Sequence, residues 1–305
     1  MRIAITGAAG FLGGSICNRL VSQGHHVLGM DRTVVTLPDG CEAAECDIAD
    51  RDAVRQAIRA FSPDSVIHLA ALLTVEAKCD IVAATRVNTL GTAHVFAEAL
   101  DAKVSQIIYA SSVAALGNAD TGFGDRSVPQ PGSVYGATKA FSEHLATALA
   151  AQHPTTTFIG LRYGYVYGPG RQRGWREMQE MVEAAHRGDQ EIVYPDYADA
   201  VDWTWVDDAT EVTVHMLGAG IEESRVFNVV GDKRRMRDAA AFLAQRYPDI
   251  RFVPRNAQTP PSAWGFQNDG LQAAIGFVPH TTMEEGIENC LSSLDRATET
   301  IASET

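Results

Sequence analysis

The chain has 305 residues, 46% of them hydrophobic and 21% charged, with a formal net charge of −13. Such apolar content supplies the core of one large domain or two intimate ones and excludes general disorder. The acidic balance argues against nucleic acid and anionic membranes as partners, and no apolar run reaches membrane-spanning length. Cys17, Cys41, Cys46, Cys79 and Cys290 are scattered, with no CxxC pair and no histidine cluster beside them. Reduced thiols, a cytoplasmic location and no metal site are expected. Fold signals start at residue 2, so no targeting segment is expected ahead of them.

Arg2 to Thr6 is a short, apolar, β-branched run that predicts a buried strand. Gly7, Gly10 and Gly13 follow at three-residue intervals, and Phe11, Leu12, Ile16, Leu20 and Val21 recur at helical spacing up to Gly24. Strand, glycine turn and helix in that order open a parallel α/β sheet. Glycine is required where a turn is tight, where backbone touches a pyrophosphate and where a helix packs closely on its strand. The helix N-terminus then offers N–H groups and partial positive charge to a diphosphate. His26 to Met30 predicts the second strand, and Asp31 ends it, eighteen positions past Gly13. A carboxylate there accepts hydrogen bonds from adenosine ribose hydroxyls and repels a 2′-phosphate, which favours NAD over NADP; the neighbouring Arg32 tempers that preference.

Glu42 to Cys46 reads as a short strand ending at Asp47-Ile48, and Asp50 caps a helix through Phe61. Ser65 to Leu69 is a strand that runs into Ala70-Ala71, small residues that let the chain pass close to a ligand at the sheet edge. His68 inside it reads as a packed core histidine. Arg86 to Leu100 predicts a helix carrying Asn88 and Gly91, and Gln106 to Ala110 a strand ending at Ser111-Ser112. Gly117 to Pro131 is an aperiodic loop rich in Gly, Asp and Pro, placed to cover a site. A long helix, Tyr135 to Ala151, and a strand, Thr156 to Leu161, come next, and the alternation then falters from Arg162 to Gly170. Beyond it lie a polar helix (Trp175 to Arg187), a strand (Glu191 to Tyr194), a Trp-rich segment (Asp202 to Val206) and a helix from Asp207-Asp208. A strand (Arg225 to Val230), a helix (Met236 to Tyr247), a strand (Arg251 to Pro254), a loop to Pro261 and two closing helices complete the chain, whose end is expected to fray.

Tyr135 and Lys139 are four residues apart, which puts both on one helix face about a turn apart. A phenol with a pKa of ~10 is a poor base at neutral pH, and a neighbouring ammonium favours its phenolate. Such a tyrosine exchanges a proton with an alcohol or carbonyl. Ser112, ending the preceding strand, is placed to donate a hydrogen bond to the reacting oxygen, and Lys139 also suits the nicotinamide ribose hydroxyls.

These residues resemble the extended short-chain dehydrogenase/reductases, also called the NAD-dependent epimerase/dehydratase family. The matching segments are TGAAGFLG (6–13), Asp31, Asp47-Ile48, HLAA (68–71), VNTLGT (87–92), ASSVAALG (110–117), YGATK (135–139), RYGYVYGPG (162–170) and WVDDAT (205–210). The resemblance implies a Rossmann-type doubly wound parallel sheet with a small C-terminal α/β substrate-binding lobe. Residues 1–165 with about 205–230 would form the NAD-binding domain, and 166–204 with 231–305 the discontinuous lobe. It implies Tyr135 as catalytic acid/base with Lys139 and Ser112. The implied cofactor set is Gly7, Gly10, Phe11, Leu12, Gly13, Asp31, Asp47, Ile48, Leu69, Ala70, Ala71, Asn88, Ala110, Tyr135, Lys139, Tyr163 and Val166. A homodimer is implied too, paired through helices 86–100 and 135–151, with Ala137, Ala140 and Phe141 on the shared face.

The departures point away from some family activities. The Asp-Glu pair of the dehydratases is replaced by Val113-Ala114. The asparagine that holds a substrate diphosphate in nucleotide-sugar epimerases is Tyr165 here, and the arginine of their Arg-Asp pair is Val201. Losing those handles forfeits charge-assisted bonds to a diphosphate. The expectation is therefore an NAD-dependent oxidoreductase acting on the secondary alcohol or ketone of a small sugar, sugar acid or similar molecule. The alternatives are a UDP-sugar 4-epimerase and a non-catalytic NAD-sensing protein. Candidate substrate contacts are Leu73, Thr74, Ser112, Val113, Tyr165, Arg171, Trp175 and Trp203, with Arg171 and Arg173 for a carboxylate and Trp175, Trp203 and Trp205 as walls.

Overall fold

The computed structural model describes residues 1–34, 37–117, 122–257, 265–268 and 270–304, with side chains up to residue 296. The loop expected at 117–131 and the one reaching Pro261 therefore lie partly outside the described residues. The first half alternates strand and helix: β1 (Arg2–Thr6), α1 (Phe11–Ser22), β2 (His26–Asp31), β3 (Glu42–Glu45), α2 (Arg51–Phe61) and β4 (Ser65–His68). Asp50 caps α2 as expected, its Oδ1 accepting from the N–H groups of Asp52 and Ala53 at 3.0 and 3.3 Å. Two short helices that the sequence reading did not foresee, α3 (Thr74–Cys79) and α4 (Ile81–Ala84), follow β4. Both are too short to establish a helical period. The chain then passes through a π-helical turn (Thr85–Gly91) into α5 (Thr92–Asp101), within the helix expected from residue 86.

Next come β5 (Gln106–Ser112), α6 (Val134–Gln152) and β6 (Thr157–Tyr163). β5 runs two residues beyond the expected end, because Ser111 and Ser112 pair with Arg162 and Tyr163 of β6. The chain leaves the sheet through β7 (Tyr165–Tyr167), α7 (Glu177–Arg187), β8 (Glu191–Tyr197), β9 (Val201–Trp205) and α8 (Val206–Met216). It returns as β10 (Arg225–Val229), which pairs with the far edge of β6. The order of the main sheet is β10-β6-β5-β4-β1-β2-β3, with every pairing parallel. The Asp207-Asp208 helix thus packs on α1 and the Arg225 strand joins the large sheet. The remainder comprises β11 (Asp232–Arg234), α9 (Met236–Arg246), β12 (Arg251–Ala257), α10 (Leu271–Ile275) and α11 (Met283–Glu304). Two small sheets form here, β11-β9-β7 and β12-β8.

Alternation along the strands sends side chains to both faces of the main sheet. Ile3, Ile5, Ile67, Ile108 and Leu161 pack on one face, in a core that continues through Tyr167, Trp203, Trp205 and Met283. Ala4, Val66, Ile107, Tyr109 and Phe158 pack on the other with Val54, Ile58 and Phe96 of the flanking helices. Strand order reverses at β1, whose neighbours are β2 and β4. Parallel sheets bind ligands beyond the carboxyl ends of the strands at such a switch point. That end carries the glycine turn after β1, Asp31 after β2, Leu69–Ala71 after β4 and Ser112 after β5.

Candidate active site

Gly7 turns the chain out of β1 at φ 73°, and a Cβ there would lie 2.7 Å from the Ala70 nitrogen. A Cβ on Gly13 would lie 2.1 Å from the Gly7 oxygen, so α1 closes on the turn only with glycine at 13. Gly10 caps α1 without a side chain, which leaves the first-turn amides to an incoming anion. Asp31 Oδ2 accepts from the Ala9 N–H at 3.1 Å, fixing the carboxylate beside the turn, with Arg32 exposed next to it. Asp47 closes a local turn onto the Ala49 N–H at 2.9 Å, and Ile48 packs against Gly91. This donor and acceptor set fits an adenine dinucleotide. The cradle that a Cβ would fill is where the pyrophosphate would lie, and Asp31 would hold the ribose hydroxyls.

The floor of the cleft is fixed by a buried histidine. His68 lies between Thr6 Oγ1, 2.7 Å from Nδ1, and Thr92 Oγ1, 2.9 Å from Nε2. Thr92 donates its own proton to the Asn88 carbonyl at 2.7 Å, so it accepts from Nε2–H and Nδ1 accepts from Thr6. Burial, with Lys139 nearby, pushes His68 down to about 3. It is neutral and structural, as expected for a packed core histidine. Asn88 was expected to touch the cofactor. Its amide is committed elsewhere: Oδ1 accepts from the Leu72 N–H at 2.7 Å, and Nδ2 donates to the Leu72 oxygen at 2.9 Å and to Thr138 Oγ1 at 3.1 Å. The side chain clasps the loop after β4 to α6. Tyr163 likewise spends its hydroxyl on Thr213, 2.6 Å away, and Val166 is buried.

The Ser112 hydroxyl is close enough to the Tyr135 phenol to favour its ionised form, and its oxygen accepts from the Ala114 N–H at 3.2 Å. Burial pushes the half-buried phenol up to about 12; the Ser112 hydroxyl and then the Arg171 guanidinium pull it down, and Glu76 opposes them. Lys139 is buried, and desolvation lowers it to about 8. Its Nζ donates to the Ala110 oxygen at 2.7 Å and lies 5.7 Å from the Tyr135 ring centre. The adjacent Ser111 is committed to the core, hydrogen-bonded to Glu143. Glu143 in turn forms a buried two-point ion pair with Arg162, at 2.8 and 2.7 Å. Arg162 also donates to the carbonyls of Asp125 and Ser127, tying down the loop between β5 and α6. The sequence reading missed this pair. Its signal was Glu143 four residues after Lys139, on the same helix face.

Arg171 folds inward rather than into solvent, while Arg173 is exposed. Its Cζ lies 5.7 Å from the Phe11 ring centre, Nη1 donates to the Val166 oxygen, and burial lowers its pKa to about 10. Tyr165 and Trp175 are half-buried with ring centres 5.6 Å apart, and Trp175 stands 5.7 Å from Tyr197. Leu73 and Thr74 are half-buried at the start of α3. Two expected substrate contacts require correction. Trp203 is only 2% exposed, packed behind Tyr165 and Tyr167 with its indole N–H on the Arg234 oxygen at 3.1 Å, so it backs the wall and does not form it. Val113 is buried with Leu116, Phe123, Val230 and Phe266. Trp205 is buried as well. Glu76 on α3 was missed; it is the one acid in the run LLTVEA, close after HLAA. Among the described residues no group of His, Cys, Asp and Glu side chains is arranged to hold a metal ion.

Residues 3–230 match the NAD dependent epimerase/dehydratase family. A probable UDP-glucuronate 4-epimerase of Rhizobium meliloti is 29% identical over 97% of both chains. A 2-alkyl-3-oxoalkanoate reductase of Stenotrophomonas maltophilia is 30% identical, with 96% of this chain and 99% of that protein covered. Among solved structures, the Thermus thermophilus UDP-glucose 4-epimerase in complex with NAD superposes with a TM-score of 0.84 at 25% identity, covering 96% of this chain and 98% of that one. The match over three quarters of the chain, the doubly wound sheet and the Ser112, Tyr135 and Lys139 set together place this enzyme in the NAD-dependent epimerase/dehydratase family of extended short-chain dehydrogenase/reductases.

Proposed function

We propose that this enzyme oxidises a secondary alcohol, or reduces the matching ketone, on a small hydroxylated substrate such as a sugar or sugar acid. The observation that carries the reading is the grouping of Ser112, Tyr135 and a buried Lys139, whose Nζ lies 5.7 Å from the Tyr135 ring centre, on the sheet end that bears the glycine cradle. NAD, when bound, supplies the hydride acceptor. The chain supplies the proton path: Ser112 orients the substrate oxygen, and Tyr135 Oη takes the hydroxyl proton as the carbinol is oxidised. Lys139 keeps N–H groups beyond the Ala110 bond for ribose hydroxyls, while the Arg171 guanidinium favours the phenolate. The reading also assigns the segments 166–204 and 231–305 to a substrate lobe.

A small substrate is supported by what replaces the diphosphate handles. Tyr165 is wedged between Trp175 and Trp203, and Val201 is buried. A second reading, UDP-sugar 4-epimerisation, uses the same three residues and is favoured by the names of two of the relatives above. The test is nicotinamide absorbance with NAD and a panel of free sugars, sugar acids and hydroxy acids, with UDP-sugars incubated in parallel. Net NADH with a free substrate supports the first reading. Interconversion of a UDP-sugar without net NADH supports the second. NAD binding with neither would point to a sensor.

The protein is also proposed to act as a homodimer. Val75, Ile81, Val82, Leu90 and Phe141 are exposed on α3, α4, the π-helical turn and α6, which pack on one another. Ala137 is exposed on that face, whereas Ala140 is buried.

A further inference from the structure

Two buried charged atoms flank the catalytic phenol without a hydrogen-bond partner: Arg171 Nε and Glu76 Oε2. Buried polar atoms are nearly always paired, and leaving one of a charged group unpaired costs more than leaving a neutral one. Neither side chain belongs to an ion pair among the described residues. Both act electrostatically on Tyr135, in opposite directions.

The placement of Arg171 is well defined. Nη1 is spent on the Val166 oxygen, and Phe11 lies beneath the guanidinium. Nη2 and the Leu73 Cδ1 both come within 3.1 Å of the point a Gly174 Cβ would occupy, so the guanidinium lies against the start of α3. Leu73 caps that helix, and Glu76 is in its first turn. Nε and Nη2 make no hydrogen bond among the described residues. The edge they form presents two parallel N–H groups, which match the two oxygens of a carboxylate. Glu76 Oε2, a carboxylate oxygen, can only accept, so it calls for a donor.

We infer that the substrate is a small hydroxy acid whose carboxylate sits on the Nε–Nη2 edge of Arg171 and whose second polar group, a hydroxyl or an ammonium, donates to Glu76, with the reacting carbinol between them at Tyr135. The inference rests on the proposed oxidoreductase reading and narrows its substrate class. A neutral sugar satisfies Glu76 but leaves the guanidinium edge without a counter-charge. A simple alkanol satisfies neither.

The test compares kcat/KM, by NADH formation, for aldonates and uronates, for hydroxy amino acids, and for size-matched neutral polyols. The wild type should prefer one of the two acid classes over the polyols by about 100-fold. Arg171→Met should abolish that preference, and Arg171→Lys should restore part of it because the charge returns without the fork. Glu76→Gln separates the donors: an amide oxygen still accepts from a hydroxyl, so hydroxy acids should lose less than about tenfold, whereas a substrate with an ammonium should lose about 100-fold. Calorimetric NAD binding by each variant reports that the cleft is intact. Equal rates on acids and polyols, or an acid preference that survives Arg171→Met, would overturn the inference. If no free substrate yields NADH and UDP-sugars are interconverted, the oxidoreductase reading fails. The Arg171 assignment is then read from UDP-glucuronate against UDP-glucose, whose ratio Arg171→Met should likewise collapse, and an unchanged ratio would overturn the assignment too.

Discussion

His68 shows how a single side chain can serve a catalytic end while doing no chemistry there. Its ring nitrogens are both satisfied by threonines, and Phe96 lies edge-on 6.0 Å away. In the unfolded chain the imidazole binds a proton near pH 6.5, and in the folded protein only near 3. The unfolded state therefore holds more protons between those values. The stabilisation from the neutral ring is complete above about 6.5 and is lost as pH falls toward 3. Urea melts at stepped pH should show stability falling through that window, and His68→Gln should flatten the acid limb; an unchanged limb would remove His68 as its source. The core reading of His68 was available from its place in an apolar strand. The roles of Asn88, Trp203 and Val113 were not, because a motif gives order along the chain, whereas commitment to a partner depends on what folds against the side chain.

At the level of elements, the glycine turn and α1 are one device. The approach of α1 to the turn permits no Cβ at position 13, where it would meet the Gly7 oxygen at 2.1 Å and the Ala8 Cα at 2.9 Å. Gly13→Ala must displace helix or turn, a strain usually worth 1–3 kcal/mol, so NAD affinity should fall by about tenfold or more by calorimetric titration. Unaltered affinity would mean that the cradle is not the pyrophosphate seat. Regular elements were legible because Arg2–Thr6 is a β-branched apolar run leading into a glycine turn, and because Tyr135–Ala151 and Met236–Tyr247 are long stretches free of helix breakers apart from Gly136. The short pieces α3, α4, β7 and β11 were not, since three to six residues cannot display a period. That blind spot hid Glu76, which sits on α3.

At the level of the whole molecule, an exposed apolar strip runs over α3, α4 and α6. Val82 is 78% exposed, unusual for a valine flanked by other exposed apolar side chains. Sedimentation should give a dimer at micromolar concentration, and Val82→Asp combined with Phe141→Asp should give a folded monomer; a monomeric wild type would contradict the pairing. The parallel sheet itself was foreseen from strand–helix alternation, and the return of Arg225–Val229 to its edge from a short apolar run after a helix. Arg171 and Trp175 were foreseen as substrate contacts from their shared segment after β7; that Glu76 joins them was not, because it comes from α3, far earlier in the chain.

The most direct test of the account is the rate of NADH formation by wild type and Tyr135→Phe, measured with the best substrate of the panel and alongside NAD titrations. The account predicts a fall of at least about 100-fold with NAD affinity retained, because the phenol oxygen alone is removed. Equal rates would show that the proton leaves by another route and that Ser112, Tyr135 and Lys139 do not form the active site.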